Sequence, residues 1–183
     1  MATAPTLPLV SVEEYLNTRY YPDMEYVDGV LVERSMPTTA HSTLAMIVAA
    51  YLFGLRRQFG FAVLPDCRTQ IAERARYRIP DVLLCSRPIP AGKVLNTVPW
   101  AVIEILSPDD KMSEQLERFR EYTSIGVKQI VLLDPIRLLA RRFEDDSLIK
   151  TEFTELALPN GKLVPFDSNA LFEQLTEEQQ MKS

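Results

Sequence analysis

Two apolar runs, each interrupted by a single carboxylate, constrain this chain most tightly: Arg78-Ile79-Pro80-Asp81-Val82-Leu83-Leu84 and Val102-Ile103-Glu104-Ile105-Leu106-Ser107-Pro108. Continuous apolar runs rich in β-branched residues and bounded by proline are the pattern of strands covered on both faces. Asp81 and Glu104 are therefore expected in the interior of the fold. An ionised carboxylate taken out of water costs several kcal/mol, roughly, unless a cation or hydrogen bonds compensate it. Two of them on neighbouring central strands predict a cation site.

The rest of the chain is compatible with an ordinary water-soluble core around those strands. Its 183 residues, 46% hydrophobic and 25% charged, predict one domain over residues 1–183, with flexible flanks at about 1–10 and 177–183. The longest apolar stretches, 43–55 and 130–133, are too short or too interrupted for a bilayer, and the N-terminus lacks a charged-then-apolar signal pattern. The expected location is cytoplasmic, with no membrane partner. Cys67 and Cys85 have no C-x-x-C spacing and are read as reduced thiols. A net charge of -5 argues against non-specific coating of nucleic acid, so any such contact must be local. Arg68, Arg74, Arg76 and Arg78, with Arg56-Arg57 as a second cluster, are the local candidates; the alternative is solvated charge along a sheet edge.

Local signals set the order of elements. Ser11 with Glu14 forms a capping box for a short helix. Asp28-Gly29 between two apolar runs is a hairpin signal and places Glu25 on a strand facing the rest of the fold. A longer helix opens at Thr38 or Thr39, carries Leu44, Val48, Tyr51, Leu52 and Leu55 as its core stripe, and ends near Gly60. The only histidine, His41, continues that stripe and is read as a packed, hydrogen-bonded core residue in preference to a catalytic one. One histidine excludes a multi-histidine zinc site, and neither G-x-S-x-G nor a cysteine with a convincing histidine partner is present.

Strands are predicted over 61–71 and 77–85, followed by a Pro- and Gly-containing loop over 86–99 with Lys93, which either contacts substrate or is a plain surface connection. After Ser107-Pro108-Asp109-Asp110 a helix begins, with Met112, Leu116, Phe119 and Thr123 on its packed side and Lys111, Glu114, Arg118 and Tyr122 along one edge. A strand over 128–134, an antiparallel pair over 138–143 and 149–156, and a helix over 168–175 complete the chain, with fraying after 176. The order predicts an α/β protein of mixed α+β type: one mixed central β-sheet flanked by helices.

If the two acid-bearing strands are neighbours, Asp81 and Glu104 converge at one end of the sheet. Two such anions raise each other's pKa unless a cation separates them. Hard oxygen ligands suit Mg²⁺ or Mn²⁺, and the backbone carbonyl of Ile105 is a candidate third ligand. Such a metal activates water and stabilises charge on a phosphodiester under attack. Arg118 or Lys111 would then stabilise the phosphate or orient the water. The competing reading satisfies both acids with arginines such as Arg78 or Arg118 in a buried ion-pair network.

Pro80-Asp81, followed by Glu104-Ile105-Leu106, resembles the PD-(D/E)-x-K signature of restriction-endonuclease-like proteins. A longer ordered set resembles the Uma family of restriction-endonuclease-like domains across nearly the entire chain. It comprises Glu25-Tyr26-Val27-Asp28-Gly29-Val30-Leu31-Val32, His41, Pro80-Asp81-Val82, Val102 to Pro108, and Tyr122 through Gly126-Val127 to Leu133-Asp134-Pro135. The resemblance implies a restriction-endonuclease-like core and a Mg²⁺- or Mn²⁺-dependent endonuclease acting on DNA. It makes Asp81 and Glu104 metal ligands and Glu25 a further acid of the site. It also implies that the missing lysine comes from the following helix, in a pattern of Asp, then Lys four residues on, then Tyr. In this chain the acidic position falls on Glu114 and the lysine position on Arg118. Arginine keeps the charge and can clamp phosphate, but it does not readily give up a proton. A weakened or inactive nuclease-fold relative, acting as a nucleic-acid-binding or assembly module, is therefore the alternative, with Lys111 as a substitute cation. A sheet edge over 138–156, or the apolar N-terminal lead-in, offers a surface for a homodimer.

Overall fold

Most element boundaries follow from single residues. The computed structural model describes residues 9–71 and 75–181. Helix α1 (Val12–Asn17) is capped by the Ser11 hydroxyl, which accepts from the Glu14 N–H at 3.1 Å. Strands β1 (Met24–Val27) and β2 (Val30–Glu33) meet at Asp28 and Gly29, with φ of 50° and 96°, as a two-residue type I′ turn demands. A side chain at Gly29 would bring its Cβ within 3.0 Å of Leu9, so this turn requires glycine for space as well as for conformation. Helix α2 (Thr39–Phe59) starts where the Thr38 hydroxyl accepts from the His41 N–H at 3.2 Å and stops at left-handed Gly60.

The next strands are β3 (Ala62–Pro65), β4 (Thr69–Gln70), β5 (Arg76–Arg78), β6 (Val82–Cys85) and β7 (Ala101–Ile105). Helix α3 (Met112–Ser124) then crosses over to β8 (Gln129–Asp134), which lies parallel to β7. Strands β9 (Leu139–Glu144), β10 (Ser147–Lys150), β11 (Glu155–Ala157) and β12 (Leu163–Pro165) precede helix α4 (Ser168–Gln180).

The main sheet runs β10-β9-β8-β7-β6-β3, a second runs β2-β1-β5-β4, and β11-β12 form a separate ribbon. Leu44, Val48 and Leu52 of α2, with Leu171, Phe172 and Leu175 of α4, join the main-sheet residues Val82, Leu84, Ile103, Val131 and Leu133 in one apolar core. Phe119 and Tyr122 of α3 join Leu83, Val102, Ile130 and Leu132 in the other. Coverage on both faces is why β6, β7 and β8 are apolar apart from Glu104 within β7 and the two ends of β8. Tyr15, Tyr26 and Tyr77 form a small aromatic cluster that fastens α1 to the second sheet, with Tyr15 and Tyr26 ring centroids 5.0 Å apart.

The described residues form three sheets where one was expected. The stretch 61–71 breaks at Asp66, whose φ is 46°, and 77–85 breaks at Ile79-Pro80-Asp81, where proline has no N–H for a ladder. Each of these stretches therefore supplies both sheets, and Asp81 sits at the crossing, immediately before β6. The expected pairing of 138–143 with 149–156 is corrected as well. Asp145 and Asp146, both at positive φ, turn the chain tightly so that β9 pairs with 147–150, while 155–157 pairs with β12.

Helix α4 continues to Gln180, past the expected stop at 175 and into the segment expected to fray. Helix α3 buries Gln115, Phe119, Glu121 and Tyr122, whereas Met112, expected on its packed side, is 39% exposed. No described helix is long and apolar enough to cross a membrane. Arg74, one of the expected basic cluster, lies outside the described residues.

Candidate active site

Strand register brings the two acids together. Val82 pairs with Ile103 in the antiparallel β6–β7 ladder, and one step further Asp81 falls opposite Glu104. The Asp81 N–H donates to Oε2 of Glu104 at 3.4 Å, and both side chains are buried. The Tyr122 hydroxyl of α3 donates to Oε1 of Glu104 at 2.7 Å. Arg118, one turn before Tyr122, has Nη1 3.9 Å from that same oxygen and 3.1 Å from Oε1 of Glu25. Glu25, fully buried on β1, also accepts from Arg78 at 2.8 Å and from the Ile79 N–H at 3.0 Å. The Ile105 N–H donates to Oδ2 of Asp81 at 2.7 Å.

Of the residues predicted for the site, Asp81, Glu104, Glu25, Arg118 and Ile105 thus converge. Lys111 does not: it is exposed at the start of α3 and its ammonium lies 2.9 Å from Glu114, itself exposed. The basic cluster expected nearby is ion-paired internally. Arg68 bonds Asp23, Arg76 bonds Asp28 and Glu121, and Arg78 joins Glu25 to Glu121. Lys93 donates to Asn17 at 2.5 Å, so its loop makes a surface connection there.

Two residues enter the site that sequence reasoning did not place in it. His41 makes its hydrogen bond here, with Nε2 3.2 Å from Oδ2 of Asp81. Its spacing to Leu44 and Val48 fits the stripe, and on that face, one turn before Leu44, it meets the acid. Arg34, immediately after β2, donates from Nη2 to Oδ1 of Asp81 at 2.7 Å and from Nη1 to Asp66 at 2.8 Å. Nothing local marks it, because the contact spans 47 residues of chain.

These contacts push the two carboxyls apart. Burial alone would raise Asp81, but His41, Arg34 and the Ile105 N–H outweigh it and hold Asp81 below the usual carboxylate range. Glu104 goes the other way. Burial and the neighbouring Asp81 charge push it up to about 8, more than Arg118 and the Tyr122 hydroxyl can reverse. Burial would lower Arg118, yet Glu25 and Glu104 raise it and keep it charged.

A cleft of about 490 Å³ opens onto this group. Asp81, Glu104, Ile105, Gln115, Arg118 and His41 contribute its polar lining, and Met36, Pro37, Ala45 and Met46 an apolar part. The buried Gln115 Oε1 and Arg118 Nε have no hydrogen-bond partner, leaving an acceptor and a donor available to a ligand. The donor set fits a hard divalent cation. Both acids contribute carboxylate oxygens to the cleft. Among the described residues no three His, Cys, Asp or Glu side chains group into a cage.

The architecture is shared with a solved structure, a putative nuclease belonging to DUF820 from Anabaena variabilis. It is 18% identical, with a TM-score of 0.75 over 91% of this chain and 99% of that one. A DrdV–DNA complex aligns at 13% identity and a TM-score of 0.38, over 79% of this chain and 13% of that one, a similarity too weak to bear on the fold. A search of curated proteins found no match. Residues 12–165 match Uma2, described as putative restriction endonuclease, a span that includes Glu25, Arg34, His41, Asp81, Glu104 and Arg118, and the chain belongs to this family.

Proposed function

We propose that the protein is a divalent-metal-dependent endonuclease that hydrolyses phosphodiester bonds of DNA. The observation that carries this reading is the buried Asp81–Glu104 pair, joined by one hydrogen bond of 3.4 Å and opening onto a cleft that also holds Arg118. Asp81 and Glu104 would hold Mg²⁺ or Mn²⁺, with the Ile105 carbonyl as a third oxygen. When bound, such an ion stabilises charge on the phosphate and lowers the pKa of water.

The protein's own groups do the rest. Tyr122 fixes one oxygen of Glu104, and the Ile105 N–H with His41 fixes one oxygen of Asp81, so the two acids are oriented before any ligand arrives. Glu25 positions Arg118 at 3.1 Å. The guanidinium then stabilises the negative charge that grows on the phosphate, and its fork suits two phosphate oxygens. Because Arg118 keeps its proton, it acts as an electrostatic partner and not as a base.

The test is cleavage of plasmid and linear DNA with Mg²⁺ or Mn²⁺. Cleavage lost on chelation, in Asp81→Asn and in Glu104→Gln is the expected result. Folded protein that cleaves without metal, or cleaves no nucleic acid at all, contradicts the proposal. A second reading rests on Arg118 standing where the family pattern has lysine: a DNA-binding module without catalysis. Metal-dependent DNA binding with no cleavage would select it.

A further inference from the structure

Asp81 accepts from several donors. Its Oδ1 takes Arg34 at 2.7 Å, and its Oδ2 takes the Ile105 N–H at 2.7 Å and faces His41 Nε2 at 3.2 Å. Oδ2 is the crowded oxygen, and a cation approaching Oδ1 meets the positive charge of Arg34 on the same atom. The Ile105 N–H belongs to the end of a central strand, and His41 is set in the first capped turn of α2. Arg34 differs from both. It is a long side chain at the end of an outer hairpin, and its other amino group already holds Asp66, an exposed residue, at 2.8 Å.

We infer that Arg34 is a built-in competitor for the divalent cation, which neutralises Asp81 in the metal-free protein and withdraws onto Asp66 when the ion enters. The inference rests on the nuclease reading for the identity of the ion. The chain next to Arg34 is held by contacts that do not involve the Asp81 carboxylate. Ser35, the next residue, donates to Oδ1 of Asp110 at 2.6 Å, and Asp110 is fixed in turn by the Ser107 N–H at 2.7 Å. The strap from β2 is therefore pinned to the opposite wall of the cleft independently of Asp81. Asp66 is pinned too, since its N–H donates to the Asp81 carbonyl at 3.3 Å.

Once off Asp81, the guanidinium keeps one amino group on Asp66 and leaves the other facing the cleft, where a phosphate oxygen is the complementary acceptor. Arg34 thereby weakens binding of the ion alone and favours its binding together with substrate. It is a positioning residue whose effect is visible in metal affinity without any nucleic acid.

The experiment is calorimetric titration of Mn²⁺ into chelator-treated full-length protein, with circular dichroism to establish the fold. Arg34→Met is expected to bind Mn²⁺ about tenfold tighter than wild type, the size of one released charge-assisted hydrogen bond. Arg34→Lys, which keeps a cation on Asp81, is expected to stay within about threefold of wild type on the same scale. Arg34→Gln, which keeps the polarity without the charge, serves as the second neutral variant and is expected to tighten binding likewise. Folded neutral variants that bind Mn²⁺ as wild type does, or more weakly, overturn the inference and leave the nuclease reading standing. No Mn²⁺ binding in wild type or any variant overturns both.

Discussion

The backbone N–H of Asp81 donates to Oε2 of Glu104 across 3.4 Å, so the spacing of the two acids is set by the β6–β7 register. A slip of one residue would turn Glu104 to the opposite face of the sheet, away from Tyr122 and Arg118. The site is thus as rigid as the core that holds those strands.

Stability of the metal-free protein should fall as pH rises through the neutral range. The Glu104 carboxyl is pushed up to about 8 in the folded state, against about 4.3 for an unperturbed glutamate. Between these values the folded state holds a proton that the unfolded state has lost, so raising pH favours unfolding. Asp81 is shifted downward, so its own contribution is lost only at acid pH, below this window. Glu104→Gln should therefore melt at a higher temperature than wild type at pH 9 in chelator, with the difference vanishing near pH 4. An unchanged gap between pH 4 and pH 9 would contradict this.

Tyr122→Phe removes the one side-chain hydrogen bond donated to Glu104 among the described residues. Leaving that buried oxygen unsatisfied should cost about 1–3 kcal/mol, read from urea unfolding at pH 9, where the carboxylate is ionised. The cost should shrink at pH 5, where a protonated Glu104 needs the hydroxyl less.

Arg78 links Glu25 to Glu121 inside the fold. Arg78→Met should destabilise the protein by about 3–5 kcal/mol, because both acids lose a buried partner. Arg120→Met, which breaks the exposed pair with Asp146, should leave the denaturation midpoint unmoved.

Arg118→Met should lower DNA cleavage by about 10²–10³-fold through loss of the charge facing the phosphate. Arg118→Lys restores the ammonium of the family pattern and should retain or raise cleavage. Equal rates for Met and wild type would remove Arg118 from the reaction.

Much of this arrangement was legible in the chain because local rules carried it. The β6 and β7 runs are apolar apart from their single acids since helices cover both faces, which singled out Asp81 and Glu104. The Asp28-Gly29 turn placed Glu25 on β1, and helical spacing set Arg118 one turn before Tyr122. What stayed hidden depends on tertiary placement. Pro80 ends one strand and lets the next join a different sheet, a choice no window of residues around it reveals. Arg34 follows a strand of the second sheet and reaches Asp81 across 47 residues of chain. His41 obeys the core stripe of its helix, yet its ring nitrogen meets Asp81, a partner 40 residues away.

Whether Asp81 and Glu104 together hold one divalent cation can be read from anomalous diffraction of crystals soaked in Mn²⁺. A single anomalous peak between the two carboxylates, with Arg34 withdrawn from Asp81 and still bonded to Asp66, is the expected result. Soaked crystals with no peak there and Arg34 still on Asp81 would contradict it.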